Sequence, residues 1–235
     1  MICYAFPLAH EASRILKECT EKEEFTIGDL RCTLGNLGQR QVLIALVGMG
    51  QERAMENTRT IFQYFRPKAF ILSGYGGALV PQLKVGQVVI SNNYSSEEVQ
   101  PFMRLLSGFD FAAFSSVDEV VGTPQQREAL AQETHSQVVD METATVADVV
   151  RSRAIPFLAL RVISDEYKQV LPTGALAAGF DAETDRTRPI RLFFYLLTHP
   201  GEFGRFQRFV LGVSEARKNL TTFLSDLNGE LPGSW

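Results

Sequence analysis

The sequence predicts an α/β fold: a single domain of three layers (α/β/α), with helices on both faces of a mostly parallel, mixed central sheet. Three observations carry this. Segments with strand character alternate with segments of helical periodicity up to about residue 163. Several strand candidates are apolar almost without interruption, the pattern of strands covered on both faces. The 235 residues, 45% hydrophobic and 21% charged, contain no internal repeat and no low-complexity linker, so one core is the simplest division.

Residues 2–6 (ICYAF) are an apolar run stopped by Pro7 and read as a buried first strand. Residues 8–18 (LAHEASRILKE) read as a helix. Residues 26–32 and 41–47, rich in β-branched and aliphatic side chains, read as strands. Gly35, Asn36, Leu37 and Gly38 mark the turn between them, since Gly and Asn tolerate positive φ. After Gly48-Met49-Gly50 a helix is expected over residues 51–64, where Ala54, Thr58, Ile61 and Phe62 give one largely apolar face and Pro67 closes the segment. Residues 69–72 read as a fully apolar strand running into a turn at Gly74-Tyr75-Gly76-Gly77, and residues 87–91 as another strand. Residues 92–122 have no regular pattern. A helix is expected over 124–134, a short strand at 137–139 leading into Asp140-Met141-Glu142, a helix to about Arg153, and a strand at 157–163, apolar except for Arg161. Residues 172–189, rich in Gly, Ala, Asp and Thr, read as a loop. It joins the sheet to a C-terminal helical extension, so that 172–235 forms an appendage to the single domain of 1–235.

The chain carries 23 Lys and Arg against 27 Asp and Glu, a net charge of −4. That argues against a nucleic-acid partner held by phosphate neutralisation. No apolar run approaches the ~18–20 residues of a membrane span, and the start, MICYAFPLAHEAS, lacks the basic and long apolar regions of a secretory signal. Cys3, Cys19 and Cys32 are odd in number and lack metal-ligand spacing. They read as reduced thiols of a cytoplasmic protein, with Cys3 packed in a strand. His10, His135 and His199 are scattered, so no metal is expected, and no cofactor motif is present. Seventeen Phe stand against one Trp, and six of them, Phe193, Phe194, Phe203, Phe206, Phe209 and Phe223, crowd the C-terminal stretch.

In an open α/β sheet, ligands bind beyond the carboxyl ends of the strands. Four places meet that rule: the Gly48-Met49-Gly50 turn, the Gly74–Gly77 stretch, the segment Asp140 to Glu142, and Ser164-Asp165. The glycine-rich strand ends read either as plain tight turns or as places where a ligand approaches the backbone. Neither is a Walker loop or a dinucleotide fingerprint. Glu142 either caps the following helix or presents its carboxylate to a ligand. Asp165 is either a turn residue or a site residue, and Glu11 either a solvated helix residue or a third carboxylate.

The stretches VGMGQERA (47–54), LSGYGGALVPQLKVGQVVIS (72–91), VVDMETATVADVV (138–150) and PFLALRVISDE (156–166), in that order, resemble the nucleoside phosphorylase/nucleosidase superfamily. Within it the likeness is to the methylthioadenosine/S-adenosylhomocysteine nucleosidases, over most of residues 1–166. GMGQERA, VDMET, Leu171-Pro172 and HPGEFGRF (199–206) also resemble the hopanoid-associated phosphorylases of that superfamily, which are linked to removal of adenine from adenosylhopane.

The resemblance implies cleavage of the N-glycosidic bond of a purine nucleoside, a 5′-modified adenosine, by hydrolysis. Asp165 matches the general acid that protonates the purine at N7. Glu142 matches the residue holding the ribose hydroxyls, with Met141 beside the sugar, and Glu11 the carboxylate that activates water. Gly74, Tyr75 and Gly76 lie where the family's Gly-rich loop approaches the nucleoside, with Met49 from the earlier turn. The segment around 117–121, with Asp118 and Glu119, stands where the base would be held.

These residue types suit the chemistry. Breaking the bond leaves an oxocarbenium-like sugar and a poor anionic leaving group, so a positioned acid is worth ~10²–10⁴-fold. A second carboxylate can take the proton from water, as in inverting glycosidases.

Two departures from the family bear on the nucleophile and the pocket. Tyr75 stands where the nucleosidases have a small residue. There is no Gly-Asp-Pro after the first strand and no Arg in the Gly-rich stretch, both of which serve phosphate in hexameric phosphorylases. Water is therefore the expected nucleophile. Arg53 and Arg59 keep phosphorolysis open, including that of an adenosylhopane-like lipid. A non-catalytic nucleoside-binding module and a purely structural α/β domain are the other readings. The expected partners are a small nucleoside and a second copy of the chain, most simply as a homodimer. The apolar face at Phe206, Phe209, Val213, Leu220, Phe223, Leu224 and Leu227 reads first as core packing, next as an oligomer interface, and last as a lipid-facing surface or a pocket for an apolar 5′ group.

Overall fold

The computed structural model describes residues 1–103, 105–181 and 186–233. A ten-stranded mixed sheet forms its centre, in the order β2-β3-β4-β1-β5-β10-β6-β7, with β9 pairing the end of β5 and β8 pairing β9. The strands are β1 (Ile2–Phe6), β2 (Thr20–Ile27), β3 (Leu30–Leu37), β4 (Arg40–Leu46), β5 (Ala69–Ala78), β6 (Val88–Ser91), β7 (Phe109–Ala112), β8 (Phe114–Ser116), β9 (Val138–Asp140) and β10 (Phe157–Asp165). The middle of the sheet is parallel: β4, β1, β5 and β10 run side by side in one direction.

Strand side chains alternate between the two faces, and β1 feeds both sides of the core. Ile2, Tyr4 and Phe6 join a cluster with Ala12, Ile15, Ala216, Leu220, Phe223, Leu224 and Leu227. Cys3 and Ala5 join a second cluster with Ala54, Ile61, Phe62, Val146 and Val150. The first layer is therefore made by α1 (Ala9–Ala12), α2 (Ile15–Glu18) and the far half of the C-terminal helix. The opposite layer is made by α3 (Gln51–Tyr64) and α6 (Thr143–Arg151). This is the three-layer α/β/α arrangement read from the sequence. The remaining helices are α4 (Gln100–Met103), α5 (Pro124–Thr134), α7 (Thr173–Gly179), α8 (Pro189–Thr198) and α9 (Pro200–Glu230).

Several local expectations are corrected, each for a physical reason. The turn placed at 35–38 is the end of a strand: β3 runs to Leu37, and the chain reverses at Gly28 and Gly38, both at φ +59°. Gly35 lies inside β3, paired with Val42 of β4, and is glycine because a Cβ there would stand 2.5 Å from Cys19 Sγ and 2.8 Å from the Thr20 carbonyl. The strand expected at 26–32 therefore straddles a hairpin turn, and the charged edge strand β2 was hidden by its lack of apolar alternation. The single helix expected over 8–18 breaks into α1 and α2. Ser13 Oγ donates to the His10 carbonyl at 2.7 Å, competing with the helical ladder. Gly74–Gly77 is not a turn but the continuation of β5, paired with Arg161, Val162, Ile163 and Asp165 of β10. The irregular stretch 92–122 holds α4, β7 and β8. Within the loop expected at 172–189 lie α7 and the short strands β11 (Phe180–Asp181) and β12 (Arg186–Thr187), while residues 182–185 fall outside the described residues.

Candidate active site

The carboxyl ends of β1, β5, β9 and β10 converge on one cavity of about 220 Å³. Glu11 reaches it because α1 begins three residues after β1 ends. The side chain is buried. Oε2 accepts from the Leu8 N–H at 2.9 Å and Oε1 from the Tyr75 N–H at 2.7 Å. A Cβ on Gly74 would stand 2.7 Å from Oε1, so glycine at 74 is what lets the carboxyl lie against β5. Burial pushes the Glu11 carboxyl up from 4.5 to about 8, against the pull of Arg161 and the Tyr75 N–H, with Glu142 adding to the rise. The solvated-helix reading of Glu11 is thereby overturned.

Glu142 stands at the start of α6, yet its side chain does not cap that helix. Asp140 does. Its Oδ1 accepts from the N–H groups of Glu142 at 3.3 Å and Thr143 at 3.2 Å and from the Ser116 hydroxyl at 2.5 Å. Its Oδ2 accepts from the Thr143 hydroxyl and, at 2.9 Å, from Arg161 Nε. The Glu142 carboxylate is thus left to face the cavity. Oε1 accepts from the Gly50 N–H at 3.0 Å and Oε2 from Arg161 Nη2 at 3.3 Å. Burial pushes the Glu142 carboxyl up, Arg161 pulls it down, and Asp140 raises it again.

Asp165 ends β10 just past a register shift at Ser164 that carries its pairing from Gly76 to Gly77. Such a bulge re-aims a side chain. Both oxygens are fixed: Oδ2 accepts from Arg127 Nη2 and Oδ1 from the Ser164 hydroxyl at 2.6 Å. Arg127 comes from α5, is wholly buried, and also donates to the Ala78 carbonyl at 3.0 Å. A Cβ on Gly77 would stand 3.1 Å from Asp165 Oδ2.

Of the residues singled out from the sequence, Glu11, Met49, Tyr75, Gly76, Met141, Glu142 and Asp165 line this one cavity. Gly74 does not line it and sits behind Glu11 instead. Val117, Glu119, Val120 and Val121 line it too, whereas Asp118 borders a neighbouring hollow with Arg53. Leu171, Leu176 and Phe209 complete the wall. Tyr75 turns its hydroxyl to within 3.2 Å of His10 Nδ1, and Arg217 of α9 donates to His10 Nε2 at 3.0 Å. Every charged side chain lining the cavity among the described residues is acidic. Arg53 folds against Gly48, and Arg59 is exposed on α3. A larger hollow of about 410 Å³, walled by Leu16, Phe25, Thr33 and Leu46, holds none of these carboxylates.

Sequence reasoning missed the part played by Arg127, Asp140 and Arg161. Arg161 did leave a signal, as a lone charge in an apolar strand. Arg127 left none, because an arginine in a polar helix reads as solvated.

Residues 2–114 and 109–189 match the family model described as the phosphorylase superfamily. The HPGEFGRF stretch lies beyond that match. Among characterised relatives, the 5′-methylthioadenosine/S-adenosylhomocysteine nucleosidase of Staphylococcus haemolyticus (strain JCSC1435) is 26% identical over 187 residues, covering 66% of this chain and 82% of that protein. Among solved structures, the fold is shared with S-adenosylhomocysteine nucleosidase from Streptococcus pyogenes in complex with 5-methylthiotubericidin (TM-score 0.74, 16% identity, 98% of this chain and 97% of that one). It is also shared with native futalosine hydrolase of Helicobacter pylori strain 26695 (TM-score 0.76, 18% identity, 98% and 97%).

Proposed function

The chain belongs to the phosphorylase superfamily, and from that premise we propose that it cleaves the N-glycosidic bond of a purine nucleoside, a 5′-modified adenosine, by hydrolysis. One observation carries the reading most: three buried carboxyl groups from distant parts of the chain, Glu11, Glu142 and Asp165, meet in a single cavity beside Asp140, which is spent on the α6 cap and Arg161, and the exposed Glu119. A structural domain has no use for burying three acids together, since each costs desolvation.

In this reading Asp165, fixed by Arg127 and Ser164, donates to N7 of the departing purine. Glu142 engages the ribose hydroxyls with the acceptor capacity left over from Gly50 and Arg161, and places negative charge where the sugar becomes cationic. Glu11 takes the proton from the attacking water. Water is favoured over phosphate because the acidic lining would repel a phosphate dianion and offers it no cation.

The test is release of adenine from methylthioadenosine, S-adenosylhomocysteine and adenosine, with and without phosphate. Release independent of phosphate is expected. Turnover only with phosphate would overturn the hydrolytic reading, and no release from any nucleoside would overturn the enzymatic one.

The pH profile follows from Glu11. A general base must be ionised, and burial holds this carboxyl up at about 8. The ascending limb of kcat/KM, which reports the free enzyme, should therefore run through neutrality toward that value. In Glu11→Gln the climb should vanish together with most of the rate. A wild-type profile flat across this range would remove Glu11 from the role.

A further inference from the structure

Exposed large apolar side chains are concentrated on one part of the molecule. Ile190, Phe193, Phe194 and Leu197 of α8, and Phe203, Val210 and Leu211 of α9, are all exposed, several by more than half. On α8 they recur at the i, i+3, i+4, i+7 spacing of a single helix face, and that face points away from the body. The inward side of the helix is made by Leu192, which meets Gly179 of α7, and Tyr195, which meets Gly174. Isolated apolar residues on a surface need no explanation, but a contiguous group of this size does.

The charges on the same two helices say what covers it. Arg191, Arg205 and Arg208 are exposed on the same two helices. Between residues 188 and 214 the chain has a single acidic residue, Glu202. That one is turned inward, accepting from the Tyr195 hydroxyl at 3.2 Å and from the Ala175 N–H at 3.2 Å. The exposed surface of these two helices is thus aromatic and cationic on a chain whose net charge is −4.

We propose that the outer face of α8 and the first half of α9 is a membrane-docking surface that seats on an anionic lipid bilayer. Phe and Leu side chains enter the boundary between headgroups and acyl chains, while arginines pair with lipid phosphates. No described helix is long and apolar enough to cross a membrane, so the helices lie on the surface. A second copy of the chain fits less well, because a symmetric pair would set one cationic patch against another. The placement also bears on access. Phe209 of α9 and Leu176 of α7 belong to the wall of the carboxylate-lined cavity, and α8 packs on α7. Docking would therefore set the helices that wall that cavity against the lipid surface.

Flotation of the full chain with vesicles tests this without reference to turnover. The chain should float with vesicles of phosphatidylglycerol and phosphatidylcholine at low salt, and should be released by high salt, whose screening length shrinks. It should stay behind with phosphatidylcholine alone. The variant Phe193→Ser/Phe194→Ser/Phe203→Ser and, separately, Arg191→Glu/Arg205→Glu should each lose at least about tenfold in bound fraction at limiting lipid. Both should keep the wild-type melting temperature, since the altered side chains are exposed. Failure of the wild type to float, or equal flotation of the variants, overturns the proposal. So does a wild-type dimer in sedimentation that the Phe variant converts to monomer, which would make the face an interface between copies.

Discussion

Asp165→Asn should lower base release by about 10²–10⁴-fold, the loss typical of a positioned acid. The same change should cost about 3–5 kcal/mol of stability, because it leaves the buried guanidinium of Arg127 without its carboxylate. The two effects have separate origins and can be separated. Arg127 donates to Asp165 and to the Ala78 carbonyl and touches no solvent. Replacing it with an apolar side chain of similar length removes the charge that Asp165→Asn strands. Asp165→Asn/Arg127→Met should therefore recover much of the lost stability, because exchanging a whole buried pair for apolar groups is often neutral. It should recover none of the activity. Urea unfolding and adenine release on the single and double variants complete the cycle. Full activity in Asp165→Asn would remove this residue from the chemistry, and additive stability losses would show that the pair does not act as a unit.

Arg161→Met is the second large effect expected. Arg161 is wholly buried between Asp140, which it meets through Nε, and Glu142, which it meets through Nη2. Without it, two buried carboxyl groups lose their cation, and the expected cost is about 3–5 kcal/mol near pH 8. The cost should shrink in acid. Arg161 is the leading influence that lowers the carboxyls of both Glu11 and Glu142, which burial pushes above the ordinary 4.5. A carboxyl raised in the folded state favours folding below its unfolded value and loses that contribution as pH climbs through its folded value. For Glu11 in the wild type, that window runs from 4.5 to about 8. Removing Arg161 raises the folded values further, so the variant loses more stability over the same climb, and its deficit widens from pH 5 to pH 8. Urea unfolding at the two pH values measures this. An equal deficit at both would mean that lost packing, not lost charge, dominates.

The crowding of Phe in the C-terminal stretch resolves into three different uses. Phe223 packs into the core, where its ring meets Phe109 edge-on at 5.8 Å. Phe209 lines the cavity, and Phe193, Phe194 and Phe203 face outward. Composition showed the excess. Only the direction of each helix face distinguishes core from wall from surface.

The sequence by itself determined the layered α/β class, because strand periodicity, apolar runs and helix faces are local patterns that the backbone obeys wherever the core is covered. It also determined that Glu11, Glu142 and Asp165 stand just past strand ends, where a parallel sheet gathers its ligands. Only the tertiary structure decided what those carboxyls do. Whether Glu142 caps its helix or faces a ligand depends on Asp140 taking the cap. Asp140 in turn is held by Arg161, 21 residues further along the chain. Whether Gly74–Gly77 turns or continues as strand depends on β10, whose Arg161 pairs with Gly74 across 87 residues of chain. Arg127 became part of the site through a partner 38 residues away. Each of these outcomes is a hydrogen bond or a steric contact between distant residues. No periodicity of 2 or 3.6 encodes such a bond; it exists only once the chain has closed around it.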